Sequence, residues 1–230
     1  MNTAVILLHG ALGSKGQLNG LQLRVGGHAI DLAGHGDRSI PEDGLTFEHF
    51  IEDIDGLFKE HGLTEAHLFG YSMGGYAALL YASRYPERAR SVTTLGTIFV
   101  WSEEGLHKEL RKLDPDIMKA KVPAFARNLA NIHGEDRWKR VVTAVAKSMI
   151  DLAASPLLTD EVIARITCPV LVCVGDGDTS AGVGNTRSFA ERLQHSEVLV
   201  LPSTRHPFEE VDLAFLVPRL KTFWERAGSR

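Results

Sequence analysis

Gly70-Tyr71-Ser72-Met73-Gly74-Gly75 is the stretch that decides how this chain reads. It follows the apolar run Ala66 to Phe69 and precedes a helical pattern carrying Tyr76, Leu79, Leu80 and Tyr81. A strand that turns this abruptly into a helix forces its corner residue into strained backbone geometry. The residues two before and two after the corner crowd each other, and both are glycine here, Gly70 and Gly74. The corner side chain, Ser72, then stands clear above the end of the sheet. The Met73 N–H lies at the helix N-terminus, where it can stabilise a developing oxyanion. A tight turn with a capping serine is the plainer alternative, and the strand before and helix after weigh against it.

Outward from that turn, short apolar runs alternate with helical patterns. The runs are Ala4 to Leu8, Ala66 to Phe69, Ser91 to Leu95, Pro169 to Val174 and Glu197 to Leu201, with a weaker one around Gly27 to Asp31. Most are continuously apolar, which suits strands buried on both faces of a parallel sheet. The pattern over Phe47 to His61 puts Phe50, Ile51, Ile54, Leu57 and Phe58 on one helical face, and Thr186 to Leu193 and Glu209 to Arg226 are similar. Strand–helix alternation predicts βαβ units with right-handed crossovers. From Trp101 to Ile166 no strand pattern occurs. Trp138, Val141, Val142, Val145, Met149 and Leu152 form an amphipathic stripe there, and Asp114-Pro115, Pro123 and Ser155-Pro156 mark helix boundaries. The expected organisation is therefore an α/β core over 1–100 and 167–230, interrupted by a helical cap insertion over 101–166.

Composition narrows the class. The 230 residues are 44% hydrophobic and 23% charged, values that exclude a disordered, collagen-like or coiled-coil chain. No apolar run approaches the ~20 residues that span a bilayer. Twenty-five basic against 29 acidic side chains leave a net charge of −4, and no basic run suggests a nucleic-acid partner. Two cysteines, Cys168 and Cys173, cannot make a disulfide framework and fit a reducing compartment. No positive charge precedes the first apolar run, so a signal peptide is not expected and a cytoplasmic location is. Neither H-E-x-x-H nor a Cys/His cluster occurs, and no G-x-G-x-x-G opens a helix after the first strand. No metal and no cofactor are expected.

Several further segments agree with the turn. Leu7-Leu8-His9-Gly10-Ala11-Leu12-Gly13, Asp31-Leu32-Ala33-Gly34-His35-Gly36-Asp37-Arg38-Ser39 and Tyr85-Pro86-Glu87-Arg88, together with the serine turn, resemble the α/β-hydrolase family. The resemblance covers nearly the whole chain and is weakest in the helical insertion. It implies that Ala11 supplies a second oxyanion N–H beside that of Met73. Many members carry two earlier antiparallel strands. A first strand within four residues of the N-terminus leaves no room for them, which predicts a trimmed, nearly all-parallel sheet of about six strands. The exposed first edge would need a helix, a loop or the second subunit of a homodimer to protect it.

A serine hydroxyl needs a base near neutral pH, usually histidine, and the imidazole needs a carboxylate to hold its tautomer. In this fold the order along the chain is nucleophile, acid, histidine. Asp178 and His206 supply that order after Ser72. The family pattern G-x-x-D favours Asp178 over Asp176 in Gly175-Asp176-Gly177-Asp178, and Glu103 is a more distant rival. His206 lies in Pro202-Ser203-Thr204-Arg205-His206-Pro207, where the family carries its base. The family usually has glycine just before that histidine. Arg205 stands there instead, and would be strained if φ were positive. The resemblance implies hydrolysis of a small or medium ester, thioester or lactone through an acyl-enzyme, on a small-molecule acyl substrate. Leu12, Trp101 and Trp138 are candidate substrate-binding residues, and the insertion offers Met118, Phe125 and Met149 as further pocket walls. The rival reactions are a lyase or C–C hydrolase of the same fold, whose acidic substrates Arg38, Arg127 or Arg205 could bind, and a slow-turnover ligand receptor.

Overall fold

The computed structural model describes residues 4–228. β1 (Ala4–Leu8), α1 (Asn19–Val25), β2 (His28–Ile30), α2 (Phe47–Glu60), β3 (Ala66–Tyr71), α3 (Met73–Arg84) and β4 (Ala89–Leu95) come first. Five helices follow: α4 (Glu103–Leu110), α5 (Pro115–Lys121), α6 (Pro123–His133), α7 (Trp138–Ala154) and α8 (Asp160–Ile163). The alternation resumes with β5 (Val170–Gly175), α9 (Val183–Ala190), β6 (Ser196–Leu201) and α10 (Leu213–Gly228).

The six strands lie in the order β2-β1-β3-β4-β5-β6, and every neighbouring pair is parallel. Successive side chains of a strand point to opposite faces. Ile6, Leu8, Leu68, Val170 and Val172 therefore pack against α2, α3 and α9. Val5, Leu7, Phe69, Leu171 and Cys173 pack against α1 and α10. With helices on both faces, inner strands β1 and β5 are unbroken apolar runs with no alternation, whereas β4 buries Ser91, Thr93 and Thr94 among its apolar residues. At the expected first edge, β1 lies inside the sheet and β2 takes the edge. β2 is three residues long, and a strand that short offers little unpaired backbone for another chain to join.

The boundaries of the insertion helices follow from local chemistry. Asp114 Oδ1 accepts from the N–H groups of Asp116 and Ile117, capping α5 with Pro115 in its first turn. Pro123 opens α6. α7 buries Trp138, Val141, Val142, Val145 and Leu152 along one stripe, and each such aliphatic side chain is worth ~1.5–3 kcal/mol of burial. Parallel registers align the carboxyl ends: Leu8 faces Gly70, Tyr71 faces Leu95, and Gly175 faces Leu201. The loops beginning at His9, Ser72, Asp176 and Pro202 consequently meet at one edge, where open parallel sheets hold their ligands.

Candidate active site

Ser72 occupies the corner between β3 and α3 with φ 49° and ψ −113°. The crowding expected of the flanking glycines is real: a Cβ on Gly70 would come within 2.3 Å of the Gly74 backbone. Two hydrogen bonds hold the corner in its unfavourable conformation. The Ser72 N–H donates to Leu95 O at 2.8 Å, and Thr97 Oγ1 donates to Ser72 O at 2.9 Å. Met73 begins α3, so its N–H has no carbonyl partner within the helix.

Ser72 Oγ lies 3.4 Å from His206 Nε2, and His206 Nδ1 lies 2.8 Å from Asp178 Oδ2. The longer contact is of the kind that tightens when substrate arrives. Tyr71 Oη donates to His206 O at 2.8 Å and pins the histidine backbone to β3. Asp178 is 4% exposed, and its other oxygen accepts from the N–H groups of Ser180 and Ala181, both at 2.9 Å. Burial alone would raise this carboxyl. The imidazole of His206 and the two backbone donors outweigh burial and hold it below its ordinary value.

The rivals for the acid position do other things. Asp176 accepts from the N–H groups of Ser203 and Thr204 at 3.0 and 3.1 Å, tying the loop after β6 to the loop after β5. Glu103 is exposed in the first turn of α4. Arg205 carries no strain, because the left-handed residue of that loop is Ser203 (φ 50°). Its guanidinium instead pairs with both oxygens of Glu210 at 2.7 and 2.6 Å. Glycine is therefore not required before His206 in this loop.

Ala11 lies in a tight turn closed by Gly13 N–H on Gly10 O at 3.0 Å. Two cavities meet at Ser72. The inner one, about 50 Å³, runs behind Met73 between Phe47, Phe50, Tyr76, Trp101, Val145 and Met149. The Tyr76 hydroxyl accepts from the N–H groups of Leu157 and Leu158, so no charged group and no free phenol lines this chamber. The outer cavity, about 760 Å³, contains His206 together with Leu12, Lys112, Met118, Phe125 and Arg205. Leu12 and Trp101 thus reach the site. Trp138, expected as a wall, lines neither cavity and is corrected to a core residue, 4% exposed in the first turn of α7. The stripe that makes α7 amphipathic turns its indole into the protein.

The model of the alpha/beta hydrolase fold family matches residues 3–146. The chain belongs to the α/β-hydrolase fold family. A curated relative in Bacillus subtilis (strain 168), named "Putative 2-succinyl-6-hydroxy-2,4-cyclohexadiene-1-carboxylate synthase", is 26% identical over 88% of this chain and 83% of its own length. The sn-1-specific diacylglycerol lipase ABHD11 of Mus musculus is 26% identical over 93% of this chain, which spans 64% of that protein's length. Among solved structures, 2-hydroxy-6-oxo-6-phenylhexa-2,4-dienoate hydrolase from Rhodococcus sp. strain RHA1 superposes with a TM-score of 0.82 at 21% identity, covering 97% of this chain and 91% of that one. At that identity the likeness is one of fold.

Three buried histidines pack around the Ala11 loop of this α/β-hydrolase, and sequence reasoning missed the part of His133. His9, His35 and His133 are each 0% exposed. His9 Nε2 accepts from Leu32 N–H at 3.0 Å, so its Nδ1 carries the proton, 2.8 Å from Gly10 O. His35 Nε2 accepts from Leu12 N–H at 3.3 Å, and its Nδ1–H faces Ala33 O at 2.9 Å. His133, from α6, accepts from Gly36 N–H at Nδ1 (3.1 Å) and donates from Nε2 to Leu12 O (3.0 Å). Burial holds all three below the ordinary histidine range, His9 at about 4, which keeps them neutral. The motifs containing His9 and His35 hint at loop contacts. Nothing near His133 in sequence announces its role.

Proposed function

We propose that this protein is a serine hydrolase of carboxylic esters, with thioesters and lactones as chemically related substrates. His206 Nε2 takes the Ser72 proton as Oγ attacks the acyl carbon, and the N–H groups of Ala11 and Met73 hold the tetrahedral oxyanion. Asp178 keeps Nδ1–H of His206 in place and stabilises the imidazolium. His206 then protonates the leaving group, and water attacking the acyl-enzyme with His206 as base releases the acid. The observation that carries this reading is the Ser72–His206–Asp178 chain of contacts at 3.4 and 2.8 Å.

The two cavities orient the substrate. The leaving group must lie on the side of the imidazole that protonates it, which is the outer cavity. The acyl group then enters the inner chamber, whose size suits a short chain and whose apolar lining penalises a charged one. The name of the Bacillus subtilis relative makes elimination on an acidic substrate the rival reaction. Of the arginines it would use, Arg38 bonds Asp53, Arg127 lines neither cavity, and Arg205 borders the outer cavity but is paired with both oxygens of Glu210. Hydrolysis is the better-supported reaction for that reason.

The test is a fluorophosphonate probe and a panel of p-nitrophenyl esters. Ser72 should take up the probe by mass spectrometry, and Ser72→Ala should lose ester turnover by about 10³-fold or more. Absence of labelling together with absence of turnover in the unaltered protein overturns the reading.

A further inference from the structure

We infer that His133 is a positioning residue for the oxyanion loop, so that a single buried imidazole ties the helical insertion to the catalytic geometry. This rests on the serine-hydrolase reading, in which the Ala11 N–H binds the oxyanion.

The Gly10 C=O and the Ala11 N–H belong to one planar trans peptide and point in opposite directions. Gly10 O receives His9 Nδ1–H at 2.8 Å and Gly13 N–H at 3.0 Å. Drawing that carbonyl inward turns the Ala11 N–H the other way, and Ala11 lines both cavities. The turn that does this places Leu12 at φ 60°. Tight turns that need a positive φ at the third position take glycine or asparagine there. A leucine stays in that conformation only where its surroundings over-determine it. Here they do: the Leu12 N–H is accepted by His35, and the Leu12 carbonyl is held by His133 Nε2–H. Both bonds are buried.

His35 belongs to the core, whereas His133 is the last residue of α6, 121 positions from Leu12 along the chain. Its second nitrogen accepts from Gly36 N–H, so the same ring also locks the loop carrying His35. Displacement of the end of α6 removes the partner of the Leu12 carbonyl and frees the turn to reorient. A well-placed oxyanion donor accounts for roughly 10²–10³ in kcat, and a misaimed one forfeits part of that.

Three variants separate the two bonds of the ring. His133→Phe removes both. His133→Gln retains a donor at the reach of Nε2, and His133→Asn retains only an acceptor at the reach of Nδ1. Kinetics are expressed per fluorophosphonate-titrated Ser72, which removes any loss of folded protein. For Phe and Asn the expected result is a fall in kcat of about 10- to 100-fold with KM within about twofold, matched by weaker binding of a boronic acid transition-state analogue. Gln should recover most of kcat. Amide hydrogen exchange of residues 10–13 reads the same positioning without catalysis: it should be faster in Phe and Asn and near the unaltered rate in Gln. Unchanged exchange in His133→Phe overturns the inference whether or not the protein hydrolyses esters. Unchanged kcat in an active His133→Phe variant overturns it too. An inactive, unlabelled parent protein overturns the hydrolase reading instead, and exchange then decides the role of His133 alone.

Discussion

Asp178 and Asp176 stand two positions apart in one loop, yet one faces an imidazole and the other two backbone N–H groups. Their asparagine variants should therefore behave differently. Asp178→Asn retains the shape but lets Nδ1 of His206 lose its defining acceptor. kcat on a p-nitrophenyl ester should drop by about 10³–10⁴-fold, with little change in KM. Asp176→Asn loosens the contact between the loops after β5 and β6 and should keep kcat within about threefold of the unaltered protein. The reverse ranking would reassign the acid. Family resemblance favours Asp178 through G-x-x-D, and the fold of the loop shows that Asp178 is the carboxylate His206 meets.

α7 presents two kinds of residue on one buried stripe. Trp138 sits in its first turn within the core, while Val145 and Met149, two and three turns later, border the inner chamber. Trp138→Ala should destabilise the protein by ~3–5 kcal/mol in urea unfolding and leave the preference among acyl chain lengths unchanged. Val145→Phe should do the opposite, leaving stability within ~1–3 kcal/mol and shifting kcat/KM toward acetyl over butanoyl esters by about tenfold. A changed chain-length profile in Trp138→Ala would return that indole to the pocket wall. The helix itself was readable from its 3.6-residue spacing. Periodicity names the buried face but not what each position on that face touches, so it does not separate Trp138 in the core from Met149 at the chamber.

For the whole molecule, buried neutral histidines set the response to acid. His9 and His67 are held at about 4, and His35 and His133 are also lowered, in each case chiefly by burial. Asp31 near His9 and His133 opposes the effect, and Arg90 near His67 and Arg137 near His133 reinforce it. An unfolded histidine takes its proton near 6.5, whereas these do not until the pH is well below that. The unfolded state thus binds more protons in between, so stability is complete above about 6.5 and declines as the pH falls toward 4. Asp178, lowered in the folded state, adds a further loss at still lower pH. His9 alone contributes ~2 kcal/mol of this loss by pH 5. Urea midpoints at pH 7.5, 6 and 5 check it, and a flat profile would mean that the three rings around the Ala11 loop are not held neutral.

What the sequence by itself determined is whatever depends on near neighbours: the forced corner at Ser72, the buried strands, and the helix boundaries at Asp114-Pro115 and Pro123. Steric exclusion and hydrophobic period act within a few residues, so they leave a local trace. Only the tertiary structure decided which carboxylate reaches His206, that Arg205 sits there without strain, and that His133 holds Leu12 from 121 residues away. Those contacts depend on strand register and on how the insertion packs against the core. A hydrogen bond tolerates only a few tenths of an ångström, which no spacing along the chain encodes.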